Sequence, residues 1–191
     1  MFQRVGILLL AVLASACSPP APSAGQPDSG FPKIKDINTL SIRLTRTACF
    51  GPCPMYGVEL KGDGSVNYCG VKFVAEKGPR ARKISKETVL TLVDQIKAAR
   101  FFELKDEYVA PITDNPAYQV VVSYDGHSKR VVDYVGEQVG MPPSLTAIED
   151  AIDAAAETGE WVGPPPDGFG ASASDPYPEC FKLFDLPVRP G

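Results

Sequence analysis

From residue 40 onward, apolar and polar positions alternate with a period of two. Leu40, Ile42 and Leu44 share one face while Ser41, Arg43 and Thr45 share the other, which predicts a half-buried strand over residues 40–47. Tyr56, Val58 and Leu60 then alternate with Gly57, Glu59 and Lys61, and Val66 and Tyr68 resume the pattern after Gly62-Asp63-Gly64, a strong turn sequence. Three strands in an antiparallel meander follow, with residues 71–74 continuing that sheet and residues 78–82 forming a basic loop. The period then changes. Val89, Leu92, Val93 and Ile96 fall at helical spacing, Ser85 is placed to cap and Glu87 suits the first turn, so a helix is expected over residues 86–100. Phe101, Phe102 and Leu104 are expected to plug the core at its end. Residues 106–116 read as a loop broken by Pro111 and Pro116. Residues 118–124 and 129–134 read as a hairpin about Asp125-Gly126. Pro143 and Ser144 open a second helix, with Leu145, Ile148, Ile152 and Ala155 on one face and Gly159 at the expected C-terminal cap. The pattern predicts an α+β fold: an antiparallel sheet of about five strands with two helices packed on one face.

The two ends of the chain do not follow this pattern. Residues 1–16 have the form of a signal peptide, with a basic start at Arg4, an apolar run over residues 5–13 that is too short for a permanent span, and small residues before Cys17. A cysteine directly after Leu13-Ala14-Ser15-Ala16 resembles a bacterial lipobox, which implies lipidation of Cys17. Ser18, where an Asp would retain such a protein at the inner membrane, favours the outer membrane, facing the periplasm. Residues 17–33, rich in Pro, Ser, Gly and Ala, then form the lipid anchor and a flexible tether. The α+β domain occupies residues 34–162, and residues 163–191 are a Pro/Gly-rich tail.

Composition narrows the function. A net charge of −4 over 191 residues argues against nonspecific nucleic-acid binding, which needs a basic face. Arg43, Arg46, Lys72, Arg80, Arg82 and Lys83 read as a solvated basic face. With Cys17 lipidated, Cys49, Cys53, Cys69 and Cys180 remain. In an oxidising compartment four cysteines read as two disulfides, with three possible connectivities.

The run Thr45-Arg46-Thr47-Ala48-Cys49-Phe50-Gly51-Pro52-Cys53-Pro54-Met55-Tyr56 resembles the signature of the bacterial DUF6438 family, a domain family of unknown function. Phe101-Phe102, Leu104 to Tyr108, Thr113-Asp114, and Val132-Asp133-Tyr134 with Gly136 are similar to its pattern as well. The resemblance brings no activity. Against it, Cys69 and Cys180 stand out as departures, and their joint appearance implies that they pair.

Cysteines four apart on an extended strand lie about 13 Å apart, whereas a disulfide needs Cα atoms within about 7 Å. Cys49 and Cys53 therefore bond only if Phe50-Gly51-Pro52 turns sharply, which Gly51 and Pro52 allow. A rigid corner between two strands is the simplest result. Two sharper readings compete: a redox-active dithiol, and a copper site in which Cys49 and Cys53 are joined by the single histidine, His127. Phe50 on the cysteine loop and Asp106, Glu107, Tyr108, Asp114 and Asp133 are the other candidate binding residues, the carboxylates Asp106, Glu107, Asp114 and Asp133 being expected to cluster if the 106–116 loop folds over the sheet. No P-loop, dinucleotide fingerprint, zinc-ligand cluster or serine nucleophile motif is present, so no catalytic residue, resident metal or cofactor is assigned. The expectation is a non-catalytic envelope lipoprotein with a binding or structural role. Its partners are the membrane, through the lipid, and an envelope protein or cell-wall component. Thiol-redox or copper handling at Cys49 and Cys53 is the alternative.

Overall fold

The computed structural model describes residues 30–164 and Cys180, so the expected signal peptide, Cys17, most of the tether and the rest of the tail lie outside the described residues. The alternation after residue 40 builds β1 (Ser41–Arg46), β2 (Met55–Lys61) and β3 (Ser65–Lys72), each antiparallel to the one before. β4 (Gly78–Lys83) extends the meander. On the far side of β1 come β6 (Tyr118–Tyr124), β7 (His127–Tyr134) and β5 (Glu107–Val109), giving one sheet of seven strands in the order β4-β3-β2-β1-β6-β7-β5. All neighbours are antiparallel except β5, which runs parallel to β7.

The α+β class holds, with two corrections to the expected five antiparallel strands. Residues 78–83 pair with β3 instead of looping. This is an edge strand, and its Pro79, Arg80, Arg82 and Lys83 blunt further pairing while erasing the apolar alternation that marks a strand. Residues 107–109 are too short to show alternation. They become a strand because Val132 N–H donates to the Asp106 carbonyl (2.9 Å) and Ala110 N–H to the Tyr134 carbonyl (3.0 Å).

Both long helices lie on one face of the sheet. In α1 (Lys86–Ala98) the Ser85 hydroxyl accepts from Thr88 N–H at 3.1 Å, and Val89, Leu92, Val93 and Ile96 are buried. In α2 (Pro143–Ala156) proline opens the helix and Leu145, Ile148, Ile152 and Ala156 are buried. These side chains meet Ile42, Leu44, Val58, Leu60, Val66, Val120 and Val122 from alternate positions of the strands, with Phe101 closing the core beyond α1. α2 ends earlier than Gly159 implied: Glu157 takes the left-handed cap, and Gly159 opens a short further helix, α3 (Gly159–Val162).

The strand register separates two poles. One carries the β2–β3 and β6–β7 hairpins and the segment leading into β1. The other carries the β1–β2 connection, the start of β6 and the end of β7. Among the described residues, no helix is long and apolar enough to cross a membrane.

Candidate functional site

The β1–β2 connection forms the second pole, and Cys49 and Cys53 are disulfide-bonded across it with Cα atoms 5.7 Å apart. The turn at Phe50-Gly51-Pro52 therefore closes as the spacing required. The loop is also tied down from outside. Thr47 N–H donates to the Ala117 carbonyl (2.9 Å), Ala117 N–H donates to the Thr47 hydroxyl (2.8 Å), and Phe50 N–H donates to the Asp114 carbonyl (3.0 Å). Asp114 itself holds a left-handed backbone, φ 69°, and its carboxylate accepts from the Thr113 hydroxyl at 2.8 Å. With its main chain fixed, Phe50 still projects into solvent, 89 % exposed.

Of the other expected binding residues, Tyr108 and Asp133 are register partners on β5 and β7, and the acidic residues do not form one cluster. Asp106 accepts from Lys129 at 2.6 Å, an ion pair that holds its carboxyl below the usual range. Glu107 is exposed on β5, whereas Tyr108 is buried and its hydroxyl accepts from Lys105 N–H at 3.3 Å. Asp133 is buried under the turn after β7, where Gly136 N–H donates to it at 2.7 Å. A side chain at Gly136 would collide with Tyr108, Asp133 and Met141, so that turn needs glycine. Among the described residues no three His, Cys, Asp or Glu side chains stand together as a metal site. His127 lies at the other pole, opposite Tyr124 in the hairpin, while Asp133 opposite Tyr118 marks the cysteine end. The length of β6 separates it from Cys49 and Cys53, about 20 Å at the rise of a strand, so it does not join them.

A second constellation was hidden by its sequence separation. Asp153 of α2 accepts from Arg46 Nε (2.9 Å) and Nη2 (2.7 Å), from Tyr56 Oη (2.8 Å) and from Thr158 Oγ1 (2.7 Å). The Arg46 guanidinium lies 4.3 Å from the centre of the Tyr118 ring. Burial works against the Arg46 charge, but Asp153 together with the Tyr56 and Tyr118 phenols raises the arginine above its ordinary value. Burial, then Asp153, push the Tyr56 phenol up. Arg46 lies in the run that resembles the family signature, yet its sequence context suggested only a solvated basic face.

One turn before Asp153, Glu149 sits among the buried residues of α2, 2 % exposed, with Oε1 unpartnered. It was legible as a carboxylate on an apolar stripe, four residues after Leu145. Burial, then the nearby Asp133 carboxyl, push Glu149 up to about 8, and Arg46 opposes this. Burial raises Asp133 as well. The groups facing Glu149 are thus Asp133 from β7, Arg46 from β1, and Asp150 and Asp153 on its own helix.

Since its folded value lies above the unfolded one, the folded state keeps a proton that the unfolded chain loses. The stability this contributes is complete below the unfolded carboxyl value of about 4.5 and is lost as pH rises through about 8. Denaturant unfolding from pH 5 to 9 should show the parent losing stability, on the order of 3 kcal/mol. Glu149→Gln should flatten that slope and be the more stable protein at pH 9. Equal slopes would remove Glu149 as the cause.

Residues 40–156 match DUF6438, described as a domain of unknown function, over more than half of the chain. The chain belongs to the DUF6438 family. The matched region spans β1 through the last residue of α2. It contains the Cys49–Cys53 loop, Arg46, Tyr56, Glu149 and Asp153, while Thr158 and Cys180 lie beyond it. Comparison with curated proteins gives no match. The matched region of this chain therefore includes the presented loop and, Thr158 apart, the arginine-centred network beside it. Cys69, inside the matched region, is bonded to Cys180 outside it.

Proposed function

We propose that this DUF6438 protein is a non-catalytic lipoprotein of the bacterial envelope. In this reading it is anchored through Cys17 to the outer membrane, faces the periplasm, and uses the Cys49–Cys53 loop to bind an envelope protein or cell-wall partner. The observation that carries the binding role is Phe50. Its ring is almost fully exposed on a backbone held by a disulfide and by hydrogen bonds to the 113–117 segment. An aromatic ring on a pre-ordered loop loses little conformational entropy on binding, and such rings dominate interface energetics.

A Phe50→Ala chain and the parent, each used to capture partners from envelope extract, test this. Phe50→Ala should fold with unchanged thermal stability and weaken capture by about 30-fold, the cost of a typical hot-spot side chain of about 2 kcal/mol. A variant that keeps every contact of the parent would remove the loop as the binding element.

The alternative, thiol or copper chemistry at Cys49 and Cys53, is separated by mass spectrometry without reductant. Resistance of that disulfide to mild reductant opposes the alternative. A readily reduced pair that retains copper supports it.

A further inference from the structure

At the hairpin pole, opposite the cysteine loop, lies a groove of about 470 Å³ with a lysine rim. Lys33 and Lys35 reach it from the segment leading into β1, and Lys86 and Lys97 from α1. Positions 86, 90, 93 and 97 form one stripe of that helix, so the two α1 lysines bracket Leu90 and Val93. The groove is apolar between the lysines, where Leu90 is 51 % exposed beside Ile34 and Ile37. None of the lining residues is acidic. Lys97 leans on Phe31 and stands 3.5 Å from Asp94, whereas Lys33, Lys35 and Lys86 make no side-chain ion pair among the described residues.

One residue of the rim runs against local stability, and one glycine sets the wall. Lys86 is the first residue of α1, where a cation opposes the helix dipole. Gly62 is also required. A side chain there would overlap the Ile37 carbonyl, so the wall of the groove depends on close approach of two backbones.

An apolar floor within a cationic rim matches a surface of phosphates over hydrocarbon. Lysine heads reach phosphates while an aliphatic side chain enters the acyl boundary. The chain also enters the domain at this place. Fifteen residues lie between Cys17 and Lys33, a reach of at most about 55 Å for any conformation, so a lipid at Cys17 would keep the groove within that distance of a bilayer. We propose that the lysine-rimmed groove seats the folded domain directly on an anionic phospholipid surface. The inference rests on the lipoprotein reading for its geometry, but the groove is tested without the lipid. Seated this way, the domain turns its hairpins toward the bilayer and holds Phe50 at the far pole, a strand length of about 20 Å further out.

The test uses the mature chain from residue 17 carrying Cys17→Ser, sedimented with vesicles of phosphatidylcholine alone or mixed with phosphatidylglycerol. The chain should partition onto the phosphatidylglycerol vesicles and release as salt is raised. A lysine at such a surface contributes about fivefold, so Lys33→Gln/Lys35→Gln/Lys86→Gln should lose on the order of 100-fold in partitioning. The corresponding triple arginine variant should retain it, which separates charge from misfolding. No partitioning by the parent, equal partitioning onto both vesicle types, or parent-like binding by the glutamine variant would each overturn the proposal. Palmitate labelling of the unmodified protein reports on Cys17 separately. A labelled protein whose groove ignores vesicles fails only the groove, and an unlabelled one whose groove binds them fails only the anchor.

Discussion

Removing the Cys69–Cys180 disulfide, as Cys69→Ala/Cys180→Ala, is expected to cost about 2–5 kcal/mol and to lower the melting temperature by roughly 10 °C. The bond joins residues 111 apart in sequence. In the chain-entropy account, closing so long a loop restricts the unfolded ensemble by nearly 5 kcal/mol, against about 2 kcal/mol for the small ring at Cys49–Cys53. Native packing adds to the effect. Cys69 and Val71 point to the sheet face opposite α1 and α2, and there they form a separate apolar cluster with Cys180 and Met55. Cys180 is fully buried in it. Thermal unfolding of the two double variants should therefore rank them, with Cys49→Ala/Cys53→Ala the milder. Coincident melting of the parent and the Cys69–Cys180 variant would mean that the tail contributes nothing to the fold.

What could be read beforehand, and what could not, follows from where the information lies. β1, β2, β3, β6 and β7 were legible because each has one face in the core, and burial imposes a period of two on the residues themselves. α1 and α2 were legible because their buried stripes impose the helical period. β4 has no such constraint. Its edge position favours Pro79 and three basic residues, which look like a loop. β5 spans only three residues and owes its existence to hydrogen bonds with β7, a partner more than twenty residues away. The acidic residues of the 106–116 stretch read as one cluster because they are close in sequence. The sheet sends Tyr108 inward and Glu107 outward, and gives Asp106 a lysine partner from β7.

The disulfide corner and the arginine network share a physical setting. β1 delivers Arg46 and, three residues later, Cys49 to the same pole. The same β1–β6 register that places Arg46 opposite Tyr118 brings Thr47 to Ala117. Holding Arg46 therefore holds the base of the loop that presents Phe50. Arg46 and the loop cysteines lie close in the sequence because one strand end serves both.

Asp153→Ala should be the most damaging single substitution at this pole, costing about 3–5 kcal/mol. The Arg46 and Asp153 side chains are only 15 % and 20 % exposed, so water cannot readily replace the lost partner. Removing the carboxylate leaves the guanidinium only the exposed Asp150 carboxylate at 3.8 Å and the Tyr118 ring, and takes from the Tyr56 hydroxyl its acceptor and from the Thr158 hydroxyl its shorter one. Arg46→Met should be damaging for the converse reason, an unpaired carboxylate. The double variant Arg46→Met/Asp153→Ala should cost clearly less than the sum, since neither charge is then left alone. Arg80 and Glu76, an exposed pair with side chains 39 % and 46 % accessible, serve as the contrast. Glu76→Ala should cost under about 1 kcal/mol, and its cycle with Arg80→Ala should be close to additive. Urea unfolding of these six variants and the parent measures both cycles. Strict additivity at Arg46 and Asp153 would show that the pair acts as two independent surface charges. A large coupling would identify it as the clamp that ties α2 to the end of β1, and through β1 to the loop carrying Phe50.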